Sequence, residues 1–547
     1  MQNISIKSMV ERLLFPEGRA RQLFAVAILA CAFSLSLTGR QVTEADWGLI
    51  DDHEVFTYLG PDLRLPFGEI WETLITKTEV GQLQGRFRPS FYFLKVAETS
   101  LLGADVHLWY LVNSICFAIF LASICWGLSR FVGLWLSGAL TAAIALLPMW
   151  ADVWSRLGPS EIFGAACLGL MLFSADAILF AERQPVRLCA AAALTMFAII
   201  LSGLKETFLP IAAGLPAFVL GYAVIGRRMS LFFVAVLGLL LVACILAIGL
   251  VILRELRSAG ADYYGHSAGA VVTLRYAALG LLDGLARTWW VWLLPIVVLQ
   301  LLRVIPTRTW KERVLESAPA FAAYAFVIAM YAAQCGLYRM LFPHNNRYDF
   351  PAMLLIPLTA CILIAEIASR VGLRYPKRTV DHALCAAAFF VIFFLVTSHL
   401  GRPPALAAAV RRNIETTRTF FIELQRLAQL ARATPDRPII IEAGGPIAYE
   451  GVHSLPQFLT ALGVKNTISV RYHPDEHSLG PYLESLQQQL TDMETARANP
   501  FTPLAEAWAK HVGGCFSVGL YTRPDPACVG FRISNGLDPA ATSRSAP

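Results

Sequence analysis

The sequence predicts an α-helical polytopic membrane protein of about eleven transmembrane helices with a small C-terminal α/β domain. Composition is the first reason. Of 547 residues, 56% are hydrophobic and 15% charged, and the mean hydropathy is +0.56, more apolar sequence than a soluble core uses. The second reason is spacing. Apolar runs of bilayer-crossing length, about 17 to 25 residues, fall near 22–38, 107–128, 131–149, 161–181, 188–204, 207–225, 230–253, 289–305, 315–335, 351–369 and 383–399. The third is a change of character after Gly401, where long apolar runs give way to mixed polar sequence.

The first run, 22–38, follows a basic and amphipathic stretch but has no convincing small-residue cleavage site, so it reads as a retained helix. An odd number of spans places the two ends of the chain on opposite sides. Lys and Arg then set the orientation. With the N-terminus cytoplasmic, the inside segments carry Lys7, Arg12, Arg19 and Arg21, then Arg130, Arg183, Arg187, Arg227 and Arg228, and later Arg303, Arg308, Lys311, Arg313, Arg370, Arg374, Lys377 and Arg378. Everything after about residue 400 is then extracytoplasmic. The net charge of +6 is scattered singly and in pairs as membrane flanks are, so membrane lipids are expected partners and nucleic acid is not.

Two outer loops are too long to be plain connectors. The first, 39–106, contains Asp51-Asp52-His53-Glu54 and an amphipathic stretch, Phe67 to Lys77, suited to lying in the interface plane. The second, about 254–288, contains Asp262-Tyr263-Tyr264-Gly265-His266, an aromatic and polar segment suited to gating a site. Between the fifth and sixth spans there is almost no loop, so Lys205 and Glu206 fall at the outer interface, an expensive place for charge. A snorkelling Lys with a neighbouring carboxylate is one reading and a charged cavity wall is the other.

In the tail, Pro438 to Gly445 reads as a strand ending in a glycine turn, 467–472 and 515–521 as further strands, and 478–497 and 503–511 as helices. Nine of the eleven cysteines lie in or beside apolar runs as small hydrophobes. Cys515 and Cys528, alone in the tail, are either a disulfide or two buried thiols.

The outer face therefore gathers Asp51, Asp52, Arg86, Arg88, Arg156, Lys205 and Arg347. A carboxylate there can take a proton from an acceptor hydroxyl, and fixed cations can stabilise a departing phosphate. Four further segments sharpen this: Gly85-Arg86-Phe87-Arg88-Pro89, Arg156-Leu157-Gly158-Pro159-Ser160-Glu161, Lys205-Glu206, and Arg347-Tyr348-Asp349-Phe350-Pro351. With the acidic pair after the first span, their order resembles the GT-C glycosyltransferase superfamily, including protein O-mannosyltransferases, lipid A aminoarabinose transferases and bacterial surface-glycan transferases.

The resemblance covers about 40–400. It implies a catalytic domain over 1–400, a periplasmic domain over 401–547, and inverting transfer of a sugar from a polyprenyl-phosphate donor to a glycan, lipid or protein acceptor. It places the catalytic carboxylate on Asp51 or Asp52, the register being open because Asp-Asp-His-Glu replaces the usual Asp-Glu. It matches Arg347 to the donor phosphate, with Lys205 matching by location and Arg86 and Arg88 as further cations. Glu54, Arg156, Glu161, Glu206, Tyr348, Tyr264 and His266 are supporting candidates. It fixes no cofactor; a divalent cation, Mg or Mn, held by Asp51, Asp52, His53 and His344 is left open because family members differ. Competing readings are solvated aspartates at a helix end, Arg86 and Arg88 on lipid headgroups, and an Arg156–Glu161 structural pair. For the whole protein they are a transporter or flippase of lipid-linked sugars and a polysaccharide polymerase or ligase.

Overall fold

A computed structural model describes residues 18–50, 52–59, 63–82, 87–258, 270–287, 325–326, 328–336, 347–351, 377–399, 403–444, 448–473, 514–520 and 522–533, together with positions 309, 354, 361 and 364. Of the expected spans, 289–305 lies outside these residues, and 315–335 and 351–369 do so in large part.

The membrane helices are α1 (Arg19–Glu44), α5 (Val106–Ala145), α6 (Glu161–Phe180), α7 (Gln184–Ser202), α8 (Leu209–Ile225), α9 (Leu231–Ser258) and α11 (Lys377–Ser398). Among the described residues, seven helices are long and apolar enough to cross a membrane, and the chain is a multi-pass membrane protein. Their outward side chains are apolar and uncovered: Phe232 on α9 is 81% exposed and Phe390 on α11 is 72% exposed. Large apolar surface of that kind belongs against lipid.

The forty-residue α5 is two limbs rather than one rod. Gly133 inside it has φ +73°, a backbone state that glycine takes without a Cβ clash. Cys125 Sγ lies 3.5 Å from Ser137 Oγ, whereas twelve residues of straight helix would hold them about 18 Å apart. Past the corner the limbs zip together, with the Phe120 and Trp150 rings at 5.2 Å and the Phe117 and Trp154 rings stacked at 4.6 Å. The two runs expected near 107–128 and 131–149 are thus one hairpin folded at Gly133.

This hairpin separates two ends of the bundle. At the Gly133 end, Arg130 grips Asp176 at 2.7 and 2.9 Å, Arg19 lies over the Trp126 ring, and Arg187 donates to the Arg228 carbonyl. At the other end lie residues 45–59, 146–160, 203–208 and 347–351, joined by Gln41 donating to the Trp154 carbonyl and by Phe350 packing on Trp150 and Phe208.

Short helices occupy the first long loop: α2 (His53–Tyr58), α3 (Ile70–Lys77) and α4 (Pro89–Leu102). Phe67, Trp71 and Ile75, four residues apart, form an exposed apolar stripe along α3 and the turn before it, with Trp71 69% exposed. The second long loop is not wholly irregular, because α9 continues to Ser258 and α10 (Ala270–Arg287) follows.

The tail begins with a helix that the sequence reading did not anticipate, α12 (Ala405–Ala433). Its buried side chains, Leu406, Ala409, Val410, Ile414, Thr417, Phe420, Leu424, Leu427, Ala428 and Ala431, trace one stripe at helical spacing. That stripe packs on α1 and the 148–154 segment and, further along, on the last strand of the sheet.

The sheet is wholly parallel in the order β2-β1-β3-β4, with β1 (Ile439–Gly444), β2 (Ile468–His473), β3 (Phe516–Leu520) and β4 (Val529–Ile533). Three strands were expected and β4 was not. Helix α13 (Ala448–Ala461) covers β1 and β3. Cys515 and Cys528 form a disulfide across the feet of β3 and β4. The helices expected at 478–497 and 503–511, and Gly445, lie outside the described residues.

The hairpin gives a direct test. Replacing Ser137 by Cys should allow oxidative cross-linking to Cys125, so that fragments from tryptic cleavage at Arg130 stay joined until reduced. A straight helix would leave them separate.

Candidate active site at the 146–160 end of the bundle

The site is built on a buried ion pair. Lys205 Nζ donates to Glu161 Oε1 at 2.5 Å, and both side chains are shielded from solvent. Lys205 leaves α7 in extended backbone, φ −165°, before the turn Glu206–Phe208, while Glu161 opens α6. Two partners thus come from different span ends. The Lys205 partner is Glu161 and not the adjacent Glu206 that the sequence suggested. A single charge left here would lack water to solvate it, so each residue requires the other.

Gly203 explains how Lys205 is fixed. Its carbonyl accepts from the backbone N–H groups of Ser90 and Phe91. A Cβ on Gly203 would lie 2.3 Å from Ser90 Oγ and 3.0 Å from Ser90 N, so only glycine permits α4 to start against this turn.

Around the pair runs a chain of alternating charges and aromatic rings. Lys205 lies 4.7 Å from the centre of the Tyr348 ring, and Arg347 stacks on the same ring at 5.2 Å and donates to its hydroxyl. Arg347 Nε is 3.8 Å from Asp152 Oδ2, and Arg156 donates to Asp152 Oδ1 at 3.2 Å. Asp152 therefore bridges two arginines, one helical turn before Arg156. In place of the Arg156–Glu161 pair considered from sequence, Arg156 turns to Asp152 and Glu161 to Lys205.

Asp52 stands at the far end of this chain. It is 4% exposed, and its Oδ2 accepts from Gly48 N–H at 2.7 Å. It precedes α2 without capping it, so its carboxylate is turned into the protein and is not a solvated helix-end residue. Tyr110 lies within electrostatic reach of both Asp52 and Arg156 and so joins the acidic loop to the cation network. In the same loop, partial burial raises the carboxyl pKa of Asp46, with His107 and Arg418 opposing.

Arg88 is occupied differently. Its Nε and Nη2 donate to the two Glu79 carboxylate oxygens, at 3.2 and 2.9 Å, and Nη2 also donates to the Tyr92 hydroxyl. Burial pushes its pKa down, but the Glu79 carboxylate overrides this and holds it well above the usual arginine value. The Tyr58 and Tyr92 hydroxyls are pushed well above the ordinary tyrosine pKa, chiefly by burial, with Glu54 adding to both. They stay neutral. Glu206 lies within electrostatic reach of Arg88. Arg88 thus ties Glu79 to the start of α4, where the sequence had offered it for the donor phosphate.

His53 directs Nδ1 to Ser454 Oγ at 2.8 Å, while its neighbour Asp52 turns to Gly48. Among the described residues no three His, Cys, Asp or Glu side chains gather as a metal set. Asp51, Arg86, Tyr264, His266 and His344 lie outside the described residues. The functional candidates missed from sequence are Asp152, Glu79 and Tyr110. Asp152 carried a signal, its i,i+4 spacing to Arg156; Glu79 and Tyr110 acquire their roles only from the fold.

No family model matches the chain, and no curated protein matches it. Among solved structures the chain is similar to ArnT from Cupriavidus metallidurans in the apo state, at 13% identity and a TM-score of 0.40, over 88% of this chain and 90% of that one.

Changing Lys205 to Met should destabilise the folded protein by about 3 kcal/mol, because Glu161 is left buried and unpaired. The double change Lys205→Met with Glu161→Gln should recover part of that loss. Thermal denaturation in detergent measures both; equal losses in the single and double variants would contradict the pairing.

Proposed function

We propose that the chain is a GT-C-type inverting glycosyltransferase that moves one sugar from a polyprenyl-phosphate donor to a hydroxyl of a glycan, lipid or protein acceptor. The observation that carries this reading is the presence, at one end of a membrane bundle, of a buried carboxylate and a set of fixed cations linked through Tyr110. Asp52 lies within reach of Tyr110, Tyr110 within reach of Arg156, and Arg156 shares Asp152 with Arg347.

In the proposed reaction, Asp52 or its neighbour Asp51 takes the proton from the acceptor hydroxyl. The acceptor oxygen attacks the anomeric carbon as the bond to the phosphate oxygen breaks, and direct displacement inverts that carbon. The electron pair leaves on the polyprenyl phosphate. Arg347 and Lys205 stabilise the growing charge on that phosphate in surroundings poor in water. Both have carboxylate neighbours in this structure, so donor phosphate enters an already balanced network.

The working side follows from charge. The Gly133 end is ringed by Arg19, Arg130, Arg187 and Arg228, which favours the cytoplasm for that end. The Asp52 end then faces the periplasm of a bacterial inner membrane.

The test is release of polyprenyl phosphate by the purified protein in nanodiscs, supplied with native lipid-linked sugars. Asp52→Asn should lower the rate by about a hundredfold or more if Asp52 is the base, with the same loss moving to Asp51→Asn if the register is shifted. Unchanged turnover in the double Asn variant would overturn the assignment. In the same assay Arg347→Gln should weaken donor binding and transfer together.

A further inference from the structure

The acidic loop is fixed from the C-terminal side of the chain. Helix α2, which directly follows Asp52, has six residues, too few to hold a direction by its own hydrogen bonds. Its orientation must come from partners. On its N-terminal turn His53 Nδ1 shares a hydrogen bond with Ser454 Oγ, and one turn later Thr57 Oγ1 donates to Gln457 Oε1. Both partners lie on α13, about 400 residues further along the chain. Ser454 is fully buried.

Apolar contacts beside these bonds already attach the two helices. Phe56 packs on Phe458 at 4.6 Å, Phe458 on Phe420 of α12 at 5.3 Å, and Leu49 reaches within 3.2 Å of where a Gly451 Cβ would be. Such contacts are non-directional. The two hydrogen bonds are directional, and they act at i and i+4 on one face of α2. Attachment alone does not require them.

We propose that Ser454 and Gln457 are positioning residues for transfer: they set the rotation of α2 and thereby the direction of the Asp52 carboxylate. The C-terminal α/β unit is then part of the catalytic apparatus and not an accessory module. The inference rests on the glycosyltransferase reading for its catalytic half.

The experiment uses the full chain in nanodiscs with Ser454→Ala, Gln457→Leu and the double variant. Two readouts are taken: hydrogen exchange over 46–58 and release of polyprenyl phosphate. The double variant should exchange faster over 46–58 and lose about tenfold or more in kcat, with donor KM and thermal midpoint little changed. Gln457→Glu, which keeps the acceptor oxygen, should restore most of the rate relative to Gln457→Leu. Unchanged exchange in the double variant would overturn the proposal, as would faster exchange with unchanged kcat. If wild-type protein releases no polyprenyl phosphate while exchange still rises in the double variant, the glycosyltransferase reading fails and the positioning of the loop stands.

Discussion

The arrangement at the 146–160 end depends on a buried pair of opposite charges, Glu161 and Lys205. Two such groups are stable together in a water-poor place and unstable apart. The pair therefore constrains the fold beyond its own bond. It fastens the start of α6 to the exit of α7, and Gly203 fastens that exit to the start of α4. Tyr348 then lies over Lys205 and brings Arg347 with it. Segments that are separated in sequence by spans of apolar residues are held within one ionic and aromatic network, with Phe350 packed beneath it on Trp150 and Phe208.

The acidic loop is tied to this network from two sides. From the bundle, Trp47 packs against Trp109 and Phe56. From the tail, Thr417 of α12 accepts from the Asp46 N–H, and Asn413 donates to the Tyr110 hydroxyl. Tyr110 is thus oriented by α12 while lying close to Asp52 and Arg156. A loop of this length would ordinarily be mobile. Aromatic packing on one side and hydrogen bonds on the other restrict it, which fixes the surroundings of Asp52 on an otherwise irregular segment.

Much of the membrane part was legible in the sequence, because lipid imposes two simple rules: apolar runs must span the hydrocarbon, and cations gather beside them. These rules located α1, α6, α7, α8, α9 and α11 closely. They also separated the two limbs of α5, which continuous helical geometry would join, although the corner at Gly133 itself was not singled out. The tail was read less well. The stripe from Leu406 to Ala431 has the helical period and is legible in principle, although seven charged residues between Arg411 and Arg432 dilute its apolar signal. β4 is short, with only alternate residues buried, and gave little pattern. At the site, residue types near span ends were readable, whereas pairings were not. Lys205 has Glu206 beside it in sequence but Glu161 beside it in space, and Arg88 finds Glu79 only because the short helix Glu79–Gln82, which follows α3, folds against α4.

The pairings also separate roles among the cations. Nε and Nη2 of Arg88 donate in parallel to the two oxygens of one carboxylate, and Nη2 also donates to Tyr92, the two-pronged geometry of an arginine–carboxylate pair. Arg347 meets Asp152 at 3.8 Å, lies over the Tyr348 ring and donates to its hydroxyl. The two arginines thus stand in different company at one end of the bundle: Arg88 in a two-pronged pair with a single carboxylate, and Arg347 between a carboxylate shared with Arg156 and a ring shared with Lys205. Asp152 and Tyr348 therefore couple Arg347 to the other two cations, whereas Arg88 is coupled chiefly to Glu79.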